Sequence, residues 1–310
     1  MKTVREITCE NEHKIFRSNA CFSDASRGRP RFEEECELRT CFQRDRDRVI
    51  HCKSFRRLKH KTQVFLQPEG DHYRTRMTHT IEVARIARAI ARGLNLNEDL
   101  TEAAAMGHDL GHTPFGHAGE GALSQVMGAP FRHNEQSLRV VDMLEKDGYG
   151  LNLTYEVRMA ILGHTGDYMP ETLEGQIVRR SDQIAYVNHD IDDACRAGIL
   201  HPEDIPREIR EVLGDGYSER INTLVCAVID GSYEKPFIDM TPTVGKAMTD
   251  LRAFLYSNVY SNSAAKAEDS KAQELLDAVP GMDKTNSTTD LRKEAIKKVY
   301  NYIRQYPVDP

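Results

Sequence analysis

The sequence predicts an all-α fold, and three observations lead to that prediction. Apolar residues recur at helical spacing, most clearly at Val83, Ile86 and Ile90. Asn97 precedes an acidic first turn and therefore has the chemistry of a helix cap. Extended structure is expected at most as a short β-hairpin near residues 63–74, where a proline and a Gly-Asp pair indicate a turn.

Each helix is predicted from its own pattern. The helix that contains Val83 is expected to stop near Gly93, because glycine commonly ends a helix. In the next helix, Leu100, Ala103 and Gly107 share one face. Helices are expected over residues 77–94, 95–112, 134–148, 154–164, 175–198, 218–232 and 244–260.

The composition is typical of a soluble globular protein. Of 310 residues, 39% are hydrophobic and 29% are charged, and the mean hydropathy is -0.57. No apolar run approaches the roughly 18 to 20 residues that a membrane helix needs. The first residues are polar and lack the apolar core of a secretory signal. We therefore expect a cytoplasmic protein with no membrane partner.

Charge and composition along the chain indicate one core and a tail. The net charge of -6 argues against a protein that coats DNA, although a local basic pocket is compatible with it. After residue 260 the sequence becomes polar around one short helical pattern. We therefore expect one core domain over residues 1–260 and a peripheral helical tail over residues 261–310.

Histidines are concentrated in one part of the chain, because eight of the twelve fall between His51 and His133. A single histidine on an apolar helix face is usually a core residue. His108 and Asp109, however, open the run HDLGHTPFGHAGE at the end of a helix. Neutral imidazole and carboxylate suit a divalent cation, which the negative end of a helix dipole also favours. The sequence predicts a metal site here, with a structural His/Asp pair as the alternative.

A further ligand is expected from a later helix. Asp182, Tyr186, His189 and Asp193 lie on one side of the predicted helix, with Asp190 at the edge of that stripe. Taken alone, such a polar stripe is more typical of a solvated face.

Together these residues resemble a known family. His79, His108-Asp109 and Asp182 resemble the H…HD…D metal signature of the HD-domain phosphohydrolases. Within that superfamily, the chain is similar to the bacterial deoxyguanosinetriphosphate triphosphohydrolase-like proteins. The segments that carry the resemblance are residues 42–65, 70–88, 97–120, 133–141 and 172–194.

The resemblance implies an HD-domain helical fold and a reaction. Water attacks the α-phosphorus of a deoxynucleoside triphosphate (dNTP), dGTP or several dNTPs, and releases a deoxynucleoside and inorganic triphosphate. One divalent metal ion per subunit (Mn, Mg, Fe, Co or Ni) would be held by His79, His108, Asp109 and Asp182. Relatives are commonly hexamers, so a homo-oligomer is expected.

The resemblance also implies roles for other residues. His117 and Glu120 match a catalytic pair that moves a proton at the α-phosphate. Arg76 matches a phosphate contact of the family, and His112 and the basic run 42–61 are further candidates, although residues 44–48 of that run are expected to form a salt-bridge network. The residues implied at the sugar are Gln63 and Asp190 at the 3′-hydroxyl and Tyr186 against the deoxyribose.

Two alternatives stay open at this point. The same site could act on another nucleotide, such as a guanosine alarmone or a nucleoside monophosphate. The basic segment KSFRRLKHK, residues 53–61, could instead bind single-stranded DNA weakly beside a vestigial site. The chain also departs from its relatives at its end, which reads KKVYNYIRQYPVDP, so the tail has no assigned role.

Overall fold

The computed structural model describes residues 1–61, 74–113 and 116–260, apart from the side chains of residues 60, 117, 118, 126 and 260. Helices dominate this part of the chain, and the predicted all-α fold is confirmed. The expected hairpin and the tail 261–310 fall on residues outside the description. The α-helices are α1 (Val4–Ile15), α2 (Cys41–His51), α3 (Lys53–Arg57), α4 (Arg76–Gly93), α5 (Glu98–Gly107), α6 (Gly116–Met127), α7 (His133–Arg139), α8 (Tyr155–Gly163), α9 (Leu173–Arg196), α10 (Arg207–Leu213), α11 (Tyr217–Ser232) and α12 (Pro242–Leu255).

The ends of α4 and α5 follow from local chemistry. The Thr75 hydroxyl accepts a hydrogen bond from the backbone N–H of Thr78 and caps α4. The Asn97 side chain accepts from the N–H of Leu100 at 3.1 Å and caps α5 as predicted. Gly93 ends α4, and a Cβ at this position would lie 2.7 Å from the Ile229 Cδ1 atom of α11. A larger residue at this position would therefore require the Ile229 side chain to move.

The core forms where α4 packs against α5 and α9, while α5 also packs against α2 and α8. Val83 and Ile90 of α4, Leu100 of α5 and Ile184 of α9 are fully buried. Burying each such side chain contributes about 1.5 to 3 kcal/mol to folding. This packing fixes the spacing between the helices that carry the polar site.

The charged run 44–48 ties α2 to the chain before α8. Asp45 is fully buried and forms an ion pair with Arg29. Its other carboxylate oxygen accepts from the Thr154 backbone N–H at 2.8 Å and from the Thr154 hydroxyl at 2.7 Å. The predicted salt-bridge network is present, but its arginines and aspartates pair largely with residues elsewhere in the chain.

The turn after α5 is held by one serine of α7. The Ser137 hydroxyl donates to the His108 carbonyl at 2.6 Å and accepts from the Gly111 N–H at 2.9 Å. Polar residues at the ends of α5 and α8, the start of α7 and the middle of α9 thereby meet at one place. Among the described residues, none of the helices has the length and apolar character needed to cross a membrane.

Candidate metal and active site

Three side chains from three parts of the fold converge on one point. His79 comes from α4, His108 follows α5, and Asp182 lies on α9. His79 Nε2 is 3.1 Å and His108 Nε2 is 3.7 Å from Asp182 Oδ1, and the three ligand atoms lie within 4.8 Å of one another. Both histidines are buried, whereas the Asp182 side chain is 19% exposed. The cluster therefore opens to solvent on the Asp182 side.

The tautomer and burial of His108 suit a metal ligand. Its Nδ1 donates to the Ala105 carbonyl at 2.6 Å, so the lone pair is on Nε2. That Nε2 atom is buried and has no hydrogen-bond partner in the described part of the chain. Burial lowers the pKa of His108 and keeps the ring neutral. A buried, unsatisfied imidazole nitrogen beside a carboxylate fits a divalent cation.

The Nδ1 atom of His79 belongs to a chain of hydrogen bonds. Its Nδ1 lies 3.2 Å from Nδ1 of His189, and the Nε2 of His189 contacts the Glu82 carboxylate. The Tyr217 hydroxyl donates to the same carboxylate at 3.0 Å. With both rings neutral, His79 donates to His189 and His189 donates to Glu82, which leaves no proton for the 3.1 Å contact between His79 Nε2 and Asp182 Oδ1. The His79 Nε2 lone pair then faces Asp182.

Asp109 follows His108 of the first cluster in the chain and belongs to a second group of possible ligands. Its Oδ2 accepts from Arg76 at 2.8 Å, and both side chains are buried. Burial alone would raise the pKa of the Asp109 carboxyl, but Arg76 and the neighbouring histidines hold that pKa well below its usual range. The carboxylate is therefore ionised. Asp109 forms a group of possible ligands with His133 and His164, whose ligand atoms lie within 4.8 Å of one another.

Glu120 contacts a histidine that the sequence did not single out. Its Oε1 lies 2.7 Å from Nδ1 of His133 and accepts from the His133 backbone N–H at 2.8 Å. The expected pairing of Glu120 with His117 stays a prediction, because the His117 side chain lies outside the described set. His133 stood in a segment of resemblance but received no role, since nothing in local spacing places it beside α6.

His164, at the end of α8, was also missed. Its Nδ1 donates to the Ile161 carbonyl at 2.7 Å, and its Nε2 lies 3.0 Å from Nε2 of His133. Burial lowers the pKa of His164 to about 3. For His133, burial favours a lower pKa, yet the hydrogen bond to Glu120 raises it above its usual value.

The residues expected at the phosphates lie beside these clusters. Arg76 has its guanidinium on Asp109, and the His112 ring stacks on the His133 ring with centroids 4.5 Å apart. Lys61, the last residue of the basic run, donates to the His112 carbonyl at 2.6 Å. Burial, with a smaller contribution from nearby Arg76, lowers the pKa of Lys61 to about 8.

Two of the expected sugar contacts lie on α9. Tyr186 is partly buried with the Arg252 guanidinium 5.8 Å from its ring centroid, and burial raises its pKa to about 12. Asp190 is buried, and burial together with Asp193 raises its pKa well above the usual range. The interpretation of this stripe as a solvated face is wrong, because His189 and Asp190 are both buried. The third expected contact, Gln63, lies outside the described residues.

The comparison with known proteins bears directly on this site. Residues 76–187, which span the first cluster, match the HD domain family. The chain is 58% identical over 274 residues to a deoxyguanosinetriphosphate triphosphohydrolase-like protein of Caldanaerobacter subterraneus, covering 88% of this chain and 81% of that relative. This chain belongs to the deoxyguanosinetriphosphate triphosphohydrolase-like family. A relative of the same description from Desulfatibacillum aliphaticivorans is 50% identical over 287 residues, covering 88% and 82%.

Solved structures agree with the fold of this family member. A hypothetical protein from Aquifex aeolicus superposes with a TM-score of 0.56 at 20% identity, over 86% of this chain and 68% of that one. A phosphohydrolase from Bacteroides thetaiotaomicron gives a TM-score of 0.50 at 16% identity, over 84% and 63%. At these identities the likeness shows the helical fold alone.

Proposed function

We propose that this protein is a metal-dependent dNTP triphosphohydrolase. It would hydrolyse dGTP or several dNTPs to the deoxynucleoside and inorganic triphosphate. The observation that carries the proposal is the convergence of His79, His108 and Asp182 around one point, in a chain of this family. Two neutral imidazoles and a carboxylate suit Mn, Mg, Fe, Co or Ni, and the buried His108 Nε2 lacks any other partner among the described residues.

In the proposed reaction, a bound divalent cation would act as a Lewis acid. When bound by His79, His108 and Asp182, with Asp109 adjacent, a divalent cation supplies Lewis acidity that offsets charge on phosphate oxygens and makes water more acidic. Side chains of the protein would bind and orient the phosphates. Arg76 supplies a planar donor fork for phosphate oxygens, and Lys61 adds a charge beside it.

Proton transfer is assigned to the turn and helix after the metal ligands. His117 would give a proton to the 5′ oxygen of the leaving deoxynucleoside as water attacks the α-phosphorus. Glu120 holds His133 at 2.7 Å and thereby fixes the wall of the phosphate pocket next to His112. The breaking bond joins the 5′ oxygen to the α-phosphorus, so the three phosphates leave together.

The sugar pocket would be formed by α9 and by Gln63. Burial raises the pKa of Asp190 and favours its neutral carboxyl, a form that could both donate to and accept from a 3′-hydroxyl. Tyr186 lies one turn before it and would leave no room for a 2′-hydroxyl. A site that pairs with one hydroxyl and excludes another discriminates strongly between sugars.

Product identification tests the proposal. Each of the four dNTPs is incubated with the protein and Mn²⁺ or Mg²⁺, and products are separated by ion-exchange chromatography. We expect a deoxynucleoside and triphosphate, with oxygen from ¹⁸O-labelled water in the triphosphate. Release of monophosphate and pyrophosphate would contradict the bond assignment, and guanosine alarmone hydrolysis without dNTP hydrolysis would favour the other nucleotide substrate.

Assembly and nucleic-acid binding remain separate predictions. Arg56, Arg57 and Lys59 are exposed, which keeps single-stranded DNA as a second candidate ligand. A gel shift that weakens steeply with salt, without triphosphate release, would support binding over catalysis. Light scattering tests the predicted hexamer, and a cytoplasmic location stays a prediction.

A further inference from the structure

Five of the seven cysteines lie in the first 52 residues, and three of these five line one cavity. Cys9 belongs to α1, Cys36 lies in the chain before α2, and Cys41 is the first residue of α2. The cavity has a volume of about 360 Å³, whereas a water molecule takes about 30 Å³ of the liquid. None of the described residues assigned to the metal, to proton transfer or to the sugar lines it. The cavity therefore lies outside the candidate active site and admits small molecules.

The Cys36 sulfur is surrounded by hydrogen-bond donors. The backbone N–H groups of Arg39 and Leu38 donate to this sulfur, and so does the Arg39 side chain. Successive backbone N–H groups of this kind form a concavity that binds an anion. These hydrogen bonds, with that of the Arg39 backbone the largest, lower the pKa of the Cys36 thiol. Because the thiolate is the nucleophilic form of cysteine, the surroundings of Cys36 favour reaction.

The other two cysteines of the cavity have different surroundings. The Cys41 Sγ donates to the Ser23 carbonyl at 3.2 Å, and burial raises the pKa of Cys41 to about 12. Cys9 is 6% exposed, and burial raises its pKa as well. In the described part of the chain, nothing makes a hydrogen bond to the Cys9 sulfur. Cys9 thus brings a buried thiol without a partner to the cavity that Cys36 also lines.

Contacts of Arg5 hold α1 against the segment that carries Cys36. The Arg5 guanidinium forms an ion pair with the Glu35 carboxylate at 2.7 Å. The Arg5 backbone N–H donates to the Glu37 carbonyl at 3.0 Å. Glu35 and Glu37 flank Cys36 in the chain, and Cys9 follows Arg5 by four residues on the same side of α1. The helix that carries Cys9 therefore contacts the chain on both sides of Cys36.

We propose that Cys36 is a peroxide-sensitive thiol and that Cys9 is its resolving partner. The Cys36 thiolate attacks hydrogen peroxide, a sulfur–oxygen bond forms, the oxygen–oxygen bond breaks, and hydroxide leaves. The sulfur is oxidised to a sulfenic acid while the peroxide is reduced. The Cys9 sulfur then forms a bond to the Cys36 sulfur, and the sulfenic oxygen leaves with the Cys9 proton as water. Residues 32–36 are in neither a helix nor a strand, so this segment can adjust as the disulfide forms.

Peptide mapping after oxidation tests the proposal. The reduced full-length protein is treated with hydrogen peroxide, its remaining thiols are alkylated after denaturation, and its peptides are identified by mass spectrometry. We expect a Cys9–Cys36 disulfide, a loss of two reactive thiols from the seven in the chain, and recovery of both with dithiothreitol. Oxidation of another cysteine before Cys36 would overturn the proposal. A lasting sulfenic acid on Cys36 beside a free Cys9 would overturn the pairing.

Matched variants separate the two chemical steps. Cys9→Ser should accumulate the Cys36 sulfenic acid, which dimedone captures, whereas Cys36→Ser should form no disulfide at the same peroxide concentration. Cys226→Ser, which alters an exposed cysteine, should form the disulfide as the wild type does. Circular dichroism checks the fold of each variant. If Cys9→Ser is unfolded, dimedone present during oxidation of the wild type should capture the same intermediate. A peroxide-induced disulfide in folded Cys36→Ser would contradict the assignment.

This proposal is independent of nucleotide hydrolysis, because its assays contain no nucleotide. A protein that forms the Cys9–Cys36 disulfide but releases no triphosphate from any dNTP would keep the redox site and lose the proposed function. A protein that releases triphosphate but forms no such disulfide would keep the proposed function and lose the redox site.

Discussion

At the scale of single residues, tautomers decide what the site can bind. A backbone carbonyl fixes His108, and a second histidine fixes His79, so each presents Nε2 to Asp182. Both arrangements are set by groups of the protein itself. The ligands are therefore preorganised, and the binding of an ion requires little rearrangement of their rings.

His108→Ala and His117→Ala should separate metal binding from catalysis. The first variant loses a ligand from the buried cluster, so we expect it to lose both bound metal and turnover. The second keeps the ligands, so it should retain metal while its turnover falls by roughly 10² to 10⁴. Elemental analysis and triphosphate assays measure the two properties, and a fully active His117→Ala protein would remove that residue from the mechanism.

Glu82→Gln should weaken metal binding although Glu82 contacts no predicted ligand directly. The change removes the charge that draws the His189 proton, and His79 becomes a poorer donor. We expect the Mn²⁺ Kd to rise about 10- to 100-fold in calorimetric titrations. Tyr217→Phe removes one donor to the same carboxylate and should have a smaller effect. An unchanged Kd for Glu82→Gln would show that this chain of hydrogen bonds does not support the metal.

Lys61 should impose an alkaline limit on activity. Its pKa is about 8, so the ammonium is present below that pH and is lost as the pH rises through it. If the charge binds phosphate, kcat/KM falls above about pH 8. Lys61→Arg keeps a cation at every accessible pH and should abolish this fall. A pH profile with Mg²⁺ compares the two proteins, and identical alkaline limbs would exclude Lys61 as the cause.

At the scale of elements, the turn between α5 and α6 depends on glycine. A Cβ on Gly111 would lie 2.8 Å from the His133 carbonyl oxygen and closer still to the backbone of Gln136 and Ser137. Backbone atoms cannot rotate away as a side chain does. The start of α7, which carries His133, would have to move.

Gly111→Ala should therefore destabilise the protein and disturb the site. We expect a loss of about 1 to 3 kcal/mol in chemical denaturation, as for other overpacked positions. Gly121→Ala on α6 is a matched control, because nothing lies within 4 Å of its added Cβ. That helical position should gain up to about 1 kcal/mol. Equal stability for the two variants would contradict the close packing at Gly111.

Local patterns predict the ends of elements well and the contacts between them poorly. The cap at Asn97 and the stop at Gly93 depend on neighbours in sequence, so both were predicted. The Glu120–His133 contact and the place of His164 depend on how α6, α7 and α8 pack. No periodicity within one helix contains that information. The resemblance supplied His79 and Asp182, which lie 103 positions apart and yet form one contact.

At the scale of the whole molecule, the candidate metal cluster joins helices that are distant in sequence. Asp182 on α9 meets His79 on α4 and His108 after α5. A ligand that binds only the folded arrangement stabilises it by mass action. The cluster should therefore contribute to the stability of the entire helical core.

Adding Mn²⁺ at 100 times its Kd should raise the free energy of unfolding by about 2.7 kcal/mol. The expected increase in Tm is roughly 5 to 10 °C for a domain of this size. Differential scanning calorimetry measures it, with EDTA-treated protein as the reference. His108→Ala should show little increase, and an equal increase in that variant would mean that the ion binds elsewhere.

The longest helix in the described part of the chain, α9, carries Asp182, Tyr186 and Asp190 at four-residue intervals along 24 residues. These positions lie about one turn apart, so the helix sets the distance from the predicted metal ligand to the predicted sugar contacts. An inserted or deleted residue in that interval would rotate Tyr186 or Asp190 by about 100° relative to Asp182. Evolution of new sugar preferences in this lineage should therefore proceed by substitution on α9 and leave its length untouched.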